Sequence, residues 1–164
     1  MSAEESYEIA LNVNGETRQI TAPARRLLSD ALRGELGLTG THVGCEHGVC
    51  GCCTVLIEGN PVRSCLTFAV AVQGKEIQTV EGLAAENGDL HPVQEAFREC
   101  HGLQCGFCTP GFLMTAAALI EQNHDPSEEE ITEAIAGNLC RCTGYQNIRN
   151  AVRYAAELMK SDKA

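Results

Sequence analysis

Hydrophobic positions fall into two periods along the chain. Ile9, Leu11 and Val13 alternate with polar or small residues, as on a half-buried strand. Asn14-Gly15 follows, a strong two-residue hairpin signal, so Thr17 to Ile20 should return as the second strand. Pro23 then opens a helical stretch in which Leu27, Leu28, Ala31, Leu32 and Leu36 share a face, ending near Gly37. After a cysteine-rich loop, Thr54 to Ile57 and Val62 to Leu66 read as strands joined through Glu58-Gly59-Asn60, with a last strand over Glu76 to Val80. A small mixed sheet with one helix across it accommodates these elements.

Beyond a turn-rich junction at Glu81 to Asp89 the period becomes helical. Val93, Ala96, Phe97 and Cys100 share a face after Pro92. Thr109 as N-cap with Pro110 at the first position leads into Phe112 to Gln122. Ser127 with Glu130 forms a capping box, and Ile131, Ala134 and Ile135 continue that helix. Ile148, Ala151, Val152, Ala155 and Leu158 mark a fourth. The pattern predicts an α+β chain: a strand-rich half over residues 1–81, then four amphipathic helices forming a small bundle over 82–164.

Composition restricts the function classes. With 164 residues, no Trp and only 4% aromatic residues, either core must be built mainly from aliphatic side chains. Small cores of that kind often need a metal or another staple. The formal charge is −10, from 22 acidic and 12 basic residues, with no clustered Lys or Arg for phosphate. Nucleic acid is therefore a poor partner. The apolar run Phe112 to Ile120 is far shorter than the roughly 20 residues of a spanning helix. Met1 to Glu8 lacks the basic and apolar regions of a secretory leader, so the expected location is cytoplasmic. Ten cysteines in a reducing compartment point to metal rather than to disulfides.

Their spacing divides them into two sets. Cys45, Cys50 and Cys53 stand as C-x4-C-x2-C with Cys65 further on, the known spacing of plant-type 2Fe–2S centres. Thiolates are soft ligands that suit iron–sulfide cores, and a tight loop can gather three of them. Gly44, Gly48 and Gly51 would let that loop turn and approach a cluster closely. Zinc fits the x4 gap less well. Cys52, the immediate neighbour of Cys53, should point away from the cluster as a small buried side chain. In the second half Cys105 and Cys108 form C-x2-C, and Cys140 and Cys142 form C-x-C, each pair at a predicted helix end. Helix N-terminal dipoles would favour thiolate there. By spacing alone this set is open between zinc and iron–sulfur. Cys100 reads as core, and the five histidines show no paired ligand spacing.

The stretches GCEHGVCGCCTV (Gly44 to Val55), RSC ending at Cys65, GLQCGFCTPG (Gly102 to Gly111) and GNLCRCTGYQNI (Gly137 to Ile148) resemble the small iron–sulfur subunit of the molybdenum hydroxylase family. That group includes xanthine oxidase, aldehyde oxidoreductase and aerobic carbon monoxide dehydrogenase. Two departures stand out, Cys52 in place of a usual Ala and Cys100 as an added thiol.

The resemblance implies a β-grasp, ferredoxin-like N-terminal domain followed by a four-helix bundle, holding two 2Fe–2S clusters. It also implies partners: a large molybdopterin-binding subunit and a medium FAD-binding subunit, assembled as a dimer of heterotrimers. Gln104 and Cys142 would approach the pterin. Electrons would run from molybdenum through the bundle cluster and the ferredoxin cluster to FAD, while the whole complex oxidises an N-heteroaromatic compound, an aldehyde or CO. The chain itself carries no GxGxxG loop, no P-loop and no readable nucleophile–base pair, so no catalytic residue is expected on it. Two other functions compete: a free-standing two-cluster carrier or redox sensor, and a zinc-stapled interaction module.

Overall fold

The computed structural model describes residues 5–161. Strand β1 (Ser6–Val13) and strand β2 (Glu16–Pro23) pair antiparallel in the expected hairpin, with Ile9 opposite Ile20. Asn14 and Gly15 both take positive φ at its turn. Strand β3 (Thr54–Ile57), strand β4 (Asn60–Arg63) and strand β5 (Glu76–Gln78) complete a five-stranded sheet of order β2-β1-β5-β3-β4. The β1–β5 pair at its centre is parallel, so the sheet is mixed.

The first helix begins later than Pro23, which instead closes β2. Leu27 is held extended in a bridge to Phe68: Leu28 N–H donates to Thr67 C=O at 2.7 Å and Ala69 N–H to Arg26 C=O at 2.8 Å. Helix α1 therefore spans only Leu28–Asp30 and continues as a π-helical turn over Ala31–Glu35. The chain reverses at Gly37, where φ is +70°. β4 stops at Arg63, and the predicted Ser64–Leu66 stretch is a 3-10 turn that lifts Cys65 out of the ladder. Similarly, β5 ends at Gln78 and a 3-10 turn covers Val80–Gly82.

Four helices follow among the described residues: α2 (Pro92–Glu99), α3 (Thr109–Gln122), α4 (Glu128–Ile135) and α5 (Gln146–Ser161). Cys108, rather than Thr109, is the N-cap of α3, because Phe112 N–H already bonds Cys108 C=O. The Ser127/Glu130 capping box of α4 forms in both directions, at 3.2 and 2.7 Å. Cys100 sits at the C-cap of α2, half-buried against the helical core.

β3 joins the halves. Its Val55 and Ile57 belong to the sheet core with Ile9, Leu11 and Leu32, whereas Leu56 belongs to the helical core with Phe112 and Ile148. Every residue of β3 is buried, so this strand is covered on both faces. The α3 helix packs directly on it, fixing the C-terminal cysteines against the sheet that carries the N-terminal ones.

Candidate metal centres

The first cysteine loop runs from the end of the α1 region into β3. Glu46 and Gly48 take positive φ here, and Cys45, Cys50, Cys53 and Cys65 converge around it. The amide of Cys50 donates to Cys45 Sγ at 3.4 Å. That amide, with those of His47 and Val49, holds the Cys45 thiol down at about pH 6 against burial. On the other side, burial and the neighbouring Cys53 thiol push Cys65 up to about 11, only partly offset by the Gly48 amide. His47 Nδ1 makes a short contact to Cys45 C=O.

The glycines take three different roles. Gly44 has ordinary φ but close neighbours: an added Cβ would meet Phe107 at 3.2 Å and Cys50 Sγ at 3.3 Å. Gly48 lies under Leu66. Gly51 is buried with φ +73°, and a Cβ would stand 2.5 Å from Gly137 C=O, a backbone atom of the other half.

The second set comes from the loop before α3 and the loop between α4 and α5. All four cysteines, Cys105, Cys108, Cys140 and Cys142, line one cavity of about 230 Å³, together with Cys50 and Cys52. Cys142 and Cys105 are 3.6 Å apart at the exposed rim. Cys108 pairs with Cys140 deeper in. Burial pushes the Cys108 thiol up to about 12, so its place at the start of α3 does not make it acidic as the dipole argument predicts. Burial also opposes ionisation of Cys140, but the Thr143 hydroxyl (3.2 Å from its sulfur) and the amides of Thr143 and Cys142 win and hold that thiol below its usual range. Beside Cys105 the Cys142 thiol is raised.

The geometry pairs the sulfurs within each set: Cys45 with Cys50, Cys53 with Cys65, Cys105 with Cys142 and Cys108 with Cys140. Two thiolates on one tetrahedral metal, with bonds of about 2.3 Å, stand about 3.8 Å apart. Among the described residues no three Cys, His, Asp or Glu side chains gather about one point as a single ion needs. Two pairs facing each other suit a dinuclear iron–sulfide core, each iron taking one pair. The thiol chemistry fits as well: Cys65 and Cys108 are too buried to ionise alone, and a positively charged centre would compensate their thiolates.

Cys52 is buried as expected, yet its side chain faces the cavity of the second set. Its thiol donates to Cys50 C=O at 3.9 Å, and burial raises it to about 12. Gln104 lies exposed beside Cys105, on the same rim as Cys142.

Several supporting residues escape sequence reasoning. The Tyr145 hydroxyl accepts the Cys140 N–H at 2.9 Å, and Tyr145 itself has φ +69°. His42 bonds Phe107 C=O at 2.8 Å and stacks on the Phe107 ring, tying the first cysteine loop to the second. Arg63 donates to Thr54 Oγ1 at 2.6 Å and to Gly137 C=O at 2.7 Å. Tyr145, Thr143, His42 and Arg63 all lie within five residues of a ligand-type cysteine, a signal that was available, but the partners of His42 and Arg63 in the second half, Phe107 and Gly137, are long-range and no local pattern shows them.

A fold with a four-cysteine site in each half defines a protein of two iron–sulfur domains. Profiles of known domains agree: a 2Fe–2S iron–sulfur cluster binding domain matches residues 11–85, and a 2Fe–2S binding domain matches residues 79–153. The chain is 54% identical over 151 residues to the nicotine 6-hydroxylase small subunit of Paenarthrobacter nicotinovorans, covering 92% of this chain and 90% of that one. It is 55% identical over 164 residues to caffeine dehydrogenase subunit gamma of Pseudomonas sp. (strain CBB1), covering 96% and 98%. The structure of quinoline 2-oxidoreductase from Pseudomonas putida 86 superposes with a TM-score of 0.91 at 47% identity, over 98% of this chain and all of that one. The chain belongs to the family of small iron–sulfur subunits of molybdenum hydroxylases. It is a subunit of an oxidoreductase, and its work is electron transfer.

Proposed function

We propose that this chain relays electrons, one at a time, between a molybdopterin subunit and an FAD subunit. Residues 1–81 act as a β-grasp domain in which Cys45, Cys50, Cys53 and Cys65 hold one 2Fe–2S cluster. Residues 82–164 act as a four-helix bundle in which Cys105, Cys108, Cys140 and Cys142 hold the other. The clusters supply one-electron chemistry at thiolate-bound iron. The protein supplies placement, amide donors to sulfur and exclusion of water. The observation that carries this reading is the pairing of eight thiols into two facing sets, one in each half.

The exposed rim of the second set points to its use. Gln104, Cys105 and Cys142 lie at the surface beside exposed Leu103, Phe107 and Leu139. We assign that rim to the molybdopterin subunit, with Gln104 and Cys142 toward the pterin, and the loop around Cys45 to the flavin side. The assembly is a dimer of heterotrimers in the cytoplasm; ten cysteines with no disulfide among them suit a reducing compartment. The named relatives act on nicotine and caffeine. By that likeness the complex oxidises an N-heteroaromatic compound.

Mass spectrometry of the native complex tests this function. A large molybdopterin-bearing chain and a flavin-bearing chain should accompany this one in equal number. A chain that purifies alone, fully loaded and redox-active, would instead be a free carrier.

A further inference from the structure

One short loop grips Cys140 at both its amide and its sulfur. The Cys140 N–H donates to the Tyr145 hydroxyl at 2.9 Å, so that donor is already used. Tyr145 stands at φ +69°, where a side chain strains the backbone. Three contacts hold it there. Its ring meets Phe112 edge-on with centroids 6.2 Å apart, its carbonyl accepts Arg149 N–H at 3.0 Å, and its own N–H donates to Thr143 Oγ1 at 3.1 Å.

The last of these contacts orients Thr143. A hydroxyl has one proton, and this oxygen already accepts from Tyr145, so the proton is free for Cys140 Sγ, 3.2 Å away. Amide, hydroxyl and sulfur therefore form one directed chain in which each bond polarises the next. Thr143 and Cys140 are both half-buried, set back from the exposed rim of Cys105 and Cys142. On Cys45, in the first set, the donors are instead the backbone amides of Cys50, at 3.4 Å, and of His47 and Val49. An electron added to a thiolate-bound iron–sulfide centre places more negative charge on its sulfurs. A donor at one sulfur thus stabilises the reduced form more than the oxidised one.

We propose that Thr143 is a positioning residue that raises the reduction potential of the centre bound by Cys140, its hydroxyl proton held on Cys140 Sγ and its oxygen fixed by Tyr145 N–H. The proposal rests on the two-cluster function above. No proton leaves the hydroxyl and no covalent bond is made or broken. The bond acts only on the energy with which the centre accepts one electron.

The test uses the full chain loaded with iron and sulfide, as wild type, Thr143→Val, which keeps the shape without the hydroxyl, and Thr143→Ser, which keeps the hydroxyl without the methyl. Reductive titration followed by EPR reads the midpoint of each centre. The signal lost in Cys105→Ser identifies the C-terminal one, and the N-terminal one serves as internal control. In Thr143→Val the C-terminal midpoint should fall. At a fixed potential its reduced-to-oxidised ratio should drop by about threefold to tenfold, tenfold being about 59 mV for a one-electron couple. Thr143→Ser should keep the wild-type midpoint, and the N-terminal centre should move in neither variant. An unmoved C-terminal midpoint in Thr143→Val, an equal fall in Thr143→Ser, or a matching fall at the N-terminal centre would overturn the proposal. Should Thr143→Val lose the C-terminal centre, Thr143→Ala is read in the same way; loss from both would make the hydroxyl a requirement of assembly and likewise overturn it. A wild-type chain without two EPR-active centres would overturn the proposed function instead.

Discussion

At the residue scale, the eight candidate ligands divide by burial into inner and outer members. Cys53, Cys65 and Cys108 are buried, whereas Cys105 and Cys142 are exposed. Replacing Cys105 by Ser should remove the C-terminal centre and leave the N-terminal EPR signal intact, because the first set shares no sulfur with the second. Loss of both signals would mean that the centres depend on each other for assembly. Gly51 is the more demanding position for the chain itself. Its φ of +73° and the carbonyl 2.5 Å from a would-be Cβ leave no room for adjustment, since the main chain fixes the Cβ position and the oxygen it meets is itself backbone. Gly51→Ala should therefore lower stability by about 2 kcal/mol or more, read as a fall of several degrees in Tm.

At the element scale, α4 depends on its first turn. Glu128, Glu129 and Glu130 sit where the helix dipole favours negative charge. The Ser127 N–H, aided by the Ser127 hydroxyl and Asn123, holds the Glu130 carboxyl below its ordinary value. Since the folded value is the lower one, this stabilisation is complete above the ordinary carboxylate range and disappears as pH falls through the lowered value. Glu130→Gln keeps the acceptor and removes the charge. Denaturation should find it less stable than wild type at neutral pH and equal to it in acid; a gap that persists in acid would mean packing, not charge, is responsible.

Elements also show what was legible in the sequence. Ile9, Leu11 and Val13, the Asn14-Gly15 turn and the Ser127 capping box are local signals and appear where expected. Pro23 misled, because residues 26–28 are recruited by residues 67–69, a pairing that no local pattern announces. Thr109 misled for a related reason: the cap is Cys108, a residue whose place is set by the cavity it lines. The spacing of the cysteines singled out the two groups that the fold draws together, and motif resemblance tied the chain to its family. The orientation of Cys52 was half legible: burial followed from its place beside Cys53, but the cavity it faces is lined mostly by residues more than fifty positions further on, from Cys105 to Cys142.

At the scale of the whole molecule, β3, the Arg63–Gly137 bond and the Asn138–Gly51 bond make one body of two cysteine-rich halves. Covering β3 on both faces gives two small aliphatic cores a shared wall, which neither could supply alone. It also fixes the cavity of the second set against Cys50 of the first. Sets held this way can exchange charge without large motion, as a relay requires. The central claim is that each half binds one dinuclear iron–sulfur centre, and quantitative iron and acid-labile sulfide analysis with EPR of the reduced full chain tests it most directly. The account predicts about four irons and four sulfides per chain and two distinguishable signals. Half that iron with a single signal, or a colourless folded chain carrying zinc, would contradict it.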